Sequence, residues 1–189
     1  RAIVRQDPDI IMVGEIRDVE TADIAIRAAL TGHLVFSTLH TNDAPGAVTR
    51  LIDMGVEPFL VASSVQGILA QRLVRKICMH CRKQIPANPN LLKEFGLDDL
   101  DQTVNYVYQP AGCEFCRERG FSGRLGVFEL MTIDEEIQNL VLRRASSAEI
   151  RGAALSSMQT MKQDGFDKVC KGVTTVEEVL QVTRKEMVE

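Results

Sequence analysis

Several things are scarce in this chain, and each scarcity closes off a class of function. Acids outnumber bases, 26 Asp and Glu against 22 Lys and Arg, for a formal net charge of −4. A nucleic-acid binder would carry the opposite footprint. Aromatic residues make up only 5% of the chain, too few for the stacking platforms of a single-strand binder. No apolar run approaches the roughly 20 residues that a membrane span needs. The opening Arg1-Ala2-Ile3-Val4-Arg5 meets Asp7-Pro8-Asp9 at once, so no signal-peptide pattern is present. Internal repeats and low-complexity segments are absent as well. The first residue is not Met, and the abrupt opening reads as a piece of a longer protein, entered within a helix. What remains is an ordinary globular composition, 45% hydrophobic. At 189 residues the chain has room for one domain with a small attachment, or for two small domains.

The rest is organised around Asp7 to Asp18. Ile10 to Val13 is a short apolar run flanked by acids and ending on Gly14-Glu15. Such a run reads as a strand buried on both faces, of the kind found in parallel α/β sheets. Ligands of those sheets lie just beyond the carboxyl ends of the strands. Glu15 falls there, and a carboxylate in that position suits a magnesium-bound nucleotide or an attacking water. A solvated strand-end residue is the plainer alternative.

Asp18 to Gly32 is expected to be a helix, capped by Asp18 and stopped by Gly32. Leu34 to Phe36 follows as a second buried strand. Ser37, Thr38, His40, Thr41 and Asn42 crowd its end, which places His40 to meet a γ-phosphate or orient water. His33, before the strand, reads as loop support. Helices are expected over Asp43–Gly55 and Pro58–Arg72, then a strand over Leu73–Ile77. After a turn at Gly120–Arg124, Leu125–Leu130 reads as a strand returning to the core. The remainder is helical, including a helix over Met158–Lys171 in which Cys170 reads as core. Three capping boxes are expected: Thr132 with Glu135, Ser146 with Glu149, and Thr174 with Glu177.

Between these parts the composition changes. Cys78-Met79-His80-Cys81 and Cys113-Glu114-Phe115-Cys116 form a C-x2-C-x31-C-x2-C pattern. In a chain with no secretion signal, metal binding is the better expectation than disulfides. Two knuckles supplying two thiolates each fit a closed tetrahedral zinc site, structural rather than catalytic. Redox pairs or free thiols are the alternatives, and His80 is a spare ligand. The long spacer is expected to hold a short helix over Asn90–Phe95. Lys76, Arg82, Lys83, Arg117 and Arg119 would ease the charge of a four-thiolate centre.

The blocks Arg5-Gln6-Asp7-Pro8-Asp9, Val13-Gly14-Glu15-Ile16-Arg17-Asp18-Val19-Glu20-Thr21 and Thr31-Gly32-His33 through Ala44 resemble the secretion ATPase superfamily. The stretch that ends on Glu15 is similar to its Walker B motif, with Glu15 as the Walker B acid, and the Thr31–Ala44 block to its His box. The paired knuckles resemble the type II secretion and type IV pilus extension ATPases, whereas the retraction ATPases lack them. Gly172 to Leu180 is similar to the family's closing segment. The resemblance implies an α/β fold: a partial RecA-like (P-loop NTPase) core over 1–77, a tetracysteine zinc insertion over 78–123, and a returning strand with a helical carboxyl-terminal subdomain over 124–189. It implies a hexameric motor ATPase, cytoplasmic and peripheral at the inner membrane, that drives a membrane platform protein for type II secretion or pilus assembly. ATP, Mg2+ and Zn2+ are the implied cofactors. Glu15 would act through magnesium or the attacking water, and His40 would contact the γ-phosphate region with His33 as the second His-box histidine. Arg5 and Arg17 are candidates for phosphate or intersubunit contacts, or for plain salt bridges.

One departure stands against these matches. No glycine in the chain is followed by lysine, so the phosphate-cradling loop G-x-x-x-x-G-K-[ST] is missing. The family's acidic motif ahead of Walker B is missing too. The 189 residues alone are therefore expected not to hydrolyse ATP. The alternative from another class is a non-catalytic, zinc-stapled interaction module.

Overall fold

The computed structural model describes residues 8–88 and 104–183. The helix expected over Asn90–Phe95, Arg5 with the rest of residues 1–7, and the last residues lie outside that range. The chain divides into two compact units, Arg1–Ala70 with Leu130–Met158, and Gln71–Glu129 with Gln159–Glu189. The fold is mixed α/β.

The first unit opens with strand β1 (Ile10–Val13), helix α1 (Val19–Leu30) and strand β2 (Leu34–Ser37). The two strands are parallel, with Ile10 opposite Leu34 and Val13 opposite Ser37. Asp18 caps α1 by accepting a bond from the Thr21 amide at 2.8 Å, and Gly32 takes the left-handed stop at φ 100°. Burial on both faces is not what the strands show. Ile11 is buried, but Ile10, Met12, Leu34 and Phe36 are 61%, 79%, 45% and 51% exposed. Side chains of a strand alternate between faces, and among the described residues only one face of this strand pair is covered.

Helices α2 (Ala44–Asp53) and α3 (Pro58–Ser64) follow. The expected continuation of α3 to Arg72 does not occur. Val65 is already extended at φ −80°, ψ 123°, and strand β3 (Gly67–Ile77) begins two residues later. The apolar residues Ile68 and Leu69 satisfy a helical period, yet pairing of β3 with strand β6 (Phe121–Thr132) decides the outcome. Gly67 permits that pairing closely: an added Cβ would sit 3.4 Å from the Met131 carbonyl oxygen. Helices α4 (Glu135–Leu142) and α5 (Ser147–Ala154) complete the unit. Ser146 and Glu149 form the expected capping box. Thr132 does not cap α4, because it belongs to β6, and Asp134 takes the role by accepting from the Ile137 amide at 2.9 Å. Ala22, Ile26, Val48, Val61, Met131, Ile137, Val141 and Ile150 form one core.

Asp43 serves two elements of this unit at once. Its Oδ1 accepts from the Gly46 amide at 2.6 Å, capping α2, and its Oδ2 accepts from Arg151 Nη2 at 2.6 Å. Asp43→Ala is expected to cost about 2 kcal/mol by urea unfolding, the upper end of a lost cap plus a half-buried ion pair. Asp43→Asn, which keeps the cap acceptor, is expected to recover about half.

In the second unit, antiparallel strands β4 (Lys83–Pro86) and β5 (Tyr106–Gln109) pair Lys83 with Gln109 and Pro86 with Tyr106. Helices α6 (Met161–Cys170) and α7 (Val176–Thr183) pack tightly. A Cβ at Gly165 would fall 2.3 Å from Val179 Cγ1, so the crossing needs glycine on α6. Helix α6 starts at Met161 rather than Met158. Its capping box is Thr160 with Gln163, a T-x-x-Q signature that outweighs the earlier apolar residue Met158. Thr174 does not cap α7 either. The Glu178 amide bonds Thr175 Oγ1 at 3.4 Å, one residue along, while the Thr174 hydroxyl donates to the Arg75 carbonyl at 2.8 Å.

Candidate functional site

Two chemically distinct clusters emerge, one in each unit. The first is built by strand register. Because β1 and β2 are parallel and aligned Val13 to Ser37, both chains leave the sheet at the same end. The Ile16 amide donates to the Thr38 carbonyl at 2.9 Å, and the Thr38 hydroxyl donates to the Gly14 carbonyl at 2.7 Å. These bonds carry the pairing past the strands and bring Glu15 beside His40. His40 Nε2 lies 2.6 Å from Glu15 Oε1, and Arg17 Nη2 lies 2.6 Å from Glu15 Oε2. The His40 contact is an ion-pair approach rather than an aligned hydrogen bond, so Oε1 is a sheltered oxygen with no aligned donor. Glu15 is mostly covered, while His40 and Arg17 stand in solvent.

The Arg17 guanidinium holds the Glu15 carboxyl below the ordinary carboxylate range, against the desolvation that would raise it, and His40 adds a smaller pull. Glu15 is thus ionised at neutral pH, with one oxygen bound to a cation and the other turned toward an imidazole. Such a carboxylate can orient a water or, with Arg17 displaced, bind a metal ion. His33 is not brought to this cluster. It sits at the opposite end of β2, with Nδ1 3.0 Å from the Ala28 carbonyl and 3.1 Å from Thr31 Oγ1. Thr38, which joins the two strand ends, had no role assigned from sequence. Its partner is 24 residues away, and nothing local marks it.

The second cluster is the four cysteines. Strand β3 delivers Cys78, and a tight turn returns Cys81, with the Cys81 and Arg82 amides both donating to the Cys78 carbonyl. A short 3-10 turn over Glu114–Cys116 does the same for Cys113 and Cys116, continued by Arg117 and Glu118 in the left-handed region at φ 54° and 59°. The Cys78 and Cys113 sulfurs are 3.9 Å apart, Cys81 and Cys116 3.8 Å, and Cys113 and Cys116 3.8 Å. All four lie within 4.8 Å of one another. A disulfide would need about 2.05 Å. The edge of a tetrahedron with metal–sulfur bonds of about 2.3 Å is about 3.8 Å. The donor set therefore fits a tetrahedral four-thiolate centre. Backbone amides of Cys113 and Gly120 donate to Cys116 Sγ at 3.2 and 3.1 Å.

Burial opposes ionisation of the Cys116 thiol, yet these two amides and the Cys113 and Cys81 thiols bring it down to about 7. At Cys113 a backbone bond from Cys116 pulls down, but desolvation and the neighbouring thiols outweigh it and push the thiol up to about 11. His80 is not among the convergent ligand atoms; it stacks on Phe115 at 4.2 Å between ring centroids.

Around this cluster lie contacts that sequence reading missed. Glu178 accepts from Arg75 through Nε and Nη2 on Oε1 at 3.0 and 2.6 Å, and from the Arg75 amide on Oε2 at 2.9 Å. Arg75 also lies over the Phe121 ring at 4.1 Å. Arg82 Nη1 donates to the Gly172 carbonyl at 2.6 Å, and its guanidinium carbon lies over the Tyr108 ring at 4.2 Å. Arg75 and Glu178 are 103 residues apart and Arg82 and Gly172 are 90 apart, and no periodicity signals either pair.

Residues 1–181 match the sequence profile of the family described as Type II/IV secretion system protein. The chain belongs to that family. Among its relatives, the Type II secretion system protein E of Pseudomonas aeruginosa is 50% identical over 98% of this chain and 37% of its own length. The Type IV pilus assembly ATPase PilB of Thermus thermophilus is 49% identical over 97% of this chain and 21% of its own length. The chain thus spans well under half of these relatives. A crystal structure of the pilus retraction motor PilT with bound ADP superposes with a TM-score of 0.65 at 30% identity, over 99% of this chain and 43% of that one. No helix among the described residues is long and apolar enough to cross a membrane. Relatives in the family bear the names of ATPases of secretion and pilus machines.

Proposed function

We propose that the chain is the carboxyl-terminal portion of a hexameric motor ATPase with a RecA-like core, coupling ATP hydrolysis to type II secretion or type IV pilus assembly. In this reading it works in the cytoplasm, peripheral to the inner membrane, against a membrane platform protein. Residues 1–77 belong to the ATPase core, 78–123 form the zinc-bearing insertion, and 124–189 return to the core and close the chain. The observation that carries it is the Glu15 carboxylate, held ionised at the end of parallel strands with His40 at 2.6 Å. When bound, a magnesium nucleotide would supply the phosphate that water attacks. Glu15 would orient that water or hold the magnesium, and His40 would face the γ-phosphate. Arg17 takes part through Glu15; His33 supports the β2 entry, and Arg5 remains a candidate phosphate contact. Cys78, Cys81, Cys113 and Cys116 would hold Zn2+ as a closed structural centre.

The site is half of one, because the phosphate loop is not in these residues. Glu15→Gln in the parent-length protein is expected to lower magnesium-dependent ATP turnover by about 10²-fold or more while nucleotide binding persists. The 189-residue chain by itself is expected to show no turnover. Unchanged turnover in the parent variant overturns the Glu15 role. Turnover by the short chain, abolished by the same substitution, overturns the half-site reading. A parent that binds zinc but no nucleotide favours the zinc-stapled interaction module.

A further inference from the structure

The closing segment Gly172–Glu178 touches the first cysteine knuckle from both of its sides. Ahead of the knuckle, the Ile77 amide donates to the Val173 carbonyl at 2.9 Å, and the next residue is the ligand Cys78. The Thr174 hydroxyl holds the Arg75 carbonyl, and Glu178 holds the Arg75 guanidinium and amide. Behind the knuckle, Arg82 follows the ligand Cys81 directly and donates to the Gly172 carbonyl at 2.6 Å. Arg82 is kept in line by the Tyr108 ring beneath it. The fit is close. Gly172 sits at φ +66°, and a Cβ there would fall 2.4 Å from Tyr108 Cδ2 and 2.6 Å from Arg82 Nη1.

From these contacts we propose that Gly172–Glu178 is a latch on the metal knuckle, with Arg82 as its positioning residue, so that metal retention and docking of helix α7 are one coupled equilibrium. It rests on the reading that the four cysteines hold zinc. The physical reason is direct. The latch fixes the backbone on either side of Cys78–Cys81, so it fixes the direction of two of the four sulfurs. Outer partners that orient ligands in this way typically govern metal affinity by about 10- to 100-fold. Coupling between two binding events is reciprocal. Loosening the latch must weaken the metal, and loading the metal must tighten the latch.

The test uses the full chain purified with zinc, and reads the rate at which a chelating dye takes the metal. Arg82→Ala and Gly172→Ala are each expected to speed release about tenfold or more, with Arg82→Lys intermediate because lysine keeps the charge but not the planar guanidinium over Tyr108. Gln159→Ala, in the same unit but outside the latch, is the control and is expected to release like the parent. In zinc-saturated Arg82→Ala, amide exchange is expected to quicken over 172–183 while β4 and β5 keep their protection. A merely structural role would not produce that confined change. If the alanine variants do not fold, Arg82→Lys decides by the same rate. A chain that holds zinc, yet releases it within twofold of the parent rate in the folded variants, overturns the latch. A chain that takes up no zinc overturns the zinc reading and this proposal with it.

Discussion

Replacing Cys116 with serine is expected to empty the four-thiolate centre and melt the unit that contains it. Cys116 is buried and receives amide bonds from Cys113 and Gly120 as well as being a corner of the tetrahedron. A hydroxyl there is a poorer metal ligand and leaves those amides facing a shorter side chain. Metal binding in small sites is folding free energy, about 10–16 kcal/mol in isolated zinc peptides. The unit around it has a modest core of its own, chiefly Val107, Val169, Val176, Val179 and Leu180. Zinc content by mass spectrometry should fall to background, and the low-temperature part of the thermal transition should separate from the rest. The core built on Met131, Val141 and Ile150 belongs to the other unit and should keep its own transition. Unchanged zinc content or an unchanged melting profile would falsify the structural-zinc reading. Because the metal must displace protons, retention should also weaken as pH falls.

Glu178→Gln is the second large effect, and its signature is pH dependence. Arg75 hydrogen bonding holds the Glu178 carboxyl below its ordinary value of 4.5, with burial opposing. A carboxyl whose folded pKa is depressed contributes stability at all pH values above its unfolded pKa. That contribution drains away as pH falls through the folded value. The parent should therefore lose stability on acidification below about pH 4.5, and the glutamine variant should lose this part of its acid limb. At neutral pH the variant should be about 2 kcal/mol less stable by denaturant unfolding, the scale of a charged hydrogen bond removed from a covered acceptor. Arg75 is over half exposed, so its unpaired charge finds water and the loss stays below that of a fully buried pair. Parallel acid limbs in parent and variant would sink this account.

What the sequence disclosed and what it hid divide along physical lines. Local signals transferred in part. Asp18 caps its helix, Gly32 and Gly55 take left-handed stops, and of the three expected boxes Ser146–Glu149 sits where its spacing placed it, while Thr132 and Thr174 were drawn into longer-range structure. The cysteine spacing was legible because each two-residue knuckle brings its pair of sulfurs to one tight turn, and the four converge. Pairings over long separations were not legible. The end of α3 is set by a strand partner more than fifty residues away, so the apolar period over Ile68 and Leu69 pointed to the wrong element. The same distance concealed Arg75 with Glu178 and Arg82 with Gly172. Glu15 and His40 lie between these cases. Each stood out at a strand end, but only the parallel register of β1 and β2 puts them in contact.

The open face of that strand pair has a practical consequence for the isolated chain. Ile10 and Leu34 are partners, as are Met12 and Phe36, so four large apolar side chains form one continuous uncovered patch. Among the described residues the sheet has these two strands alone, and a bare strand edge is the geometry by which copies of a protein add to one another. Colloidal behaviour, more than folding, will set the concentration at which these 189 residues can be handled. A charged side chain in place of Met12, the most exposed of the four, is the natural solubilising change, since it leaves the buried neighbour Ile11 untouched.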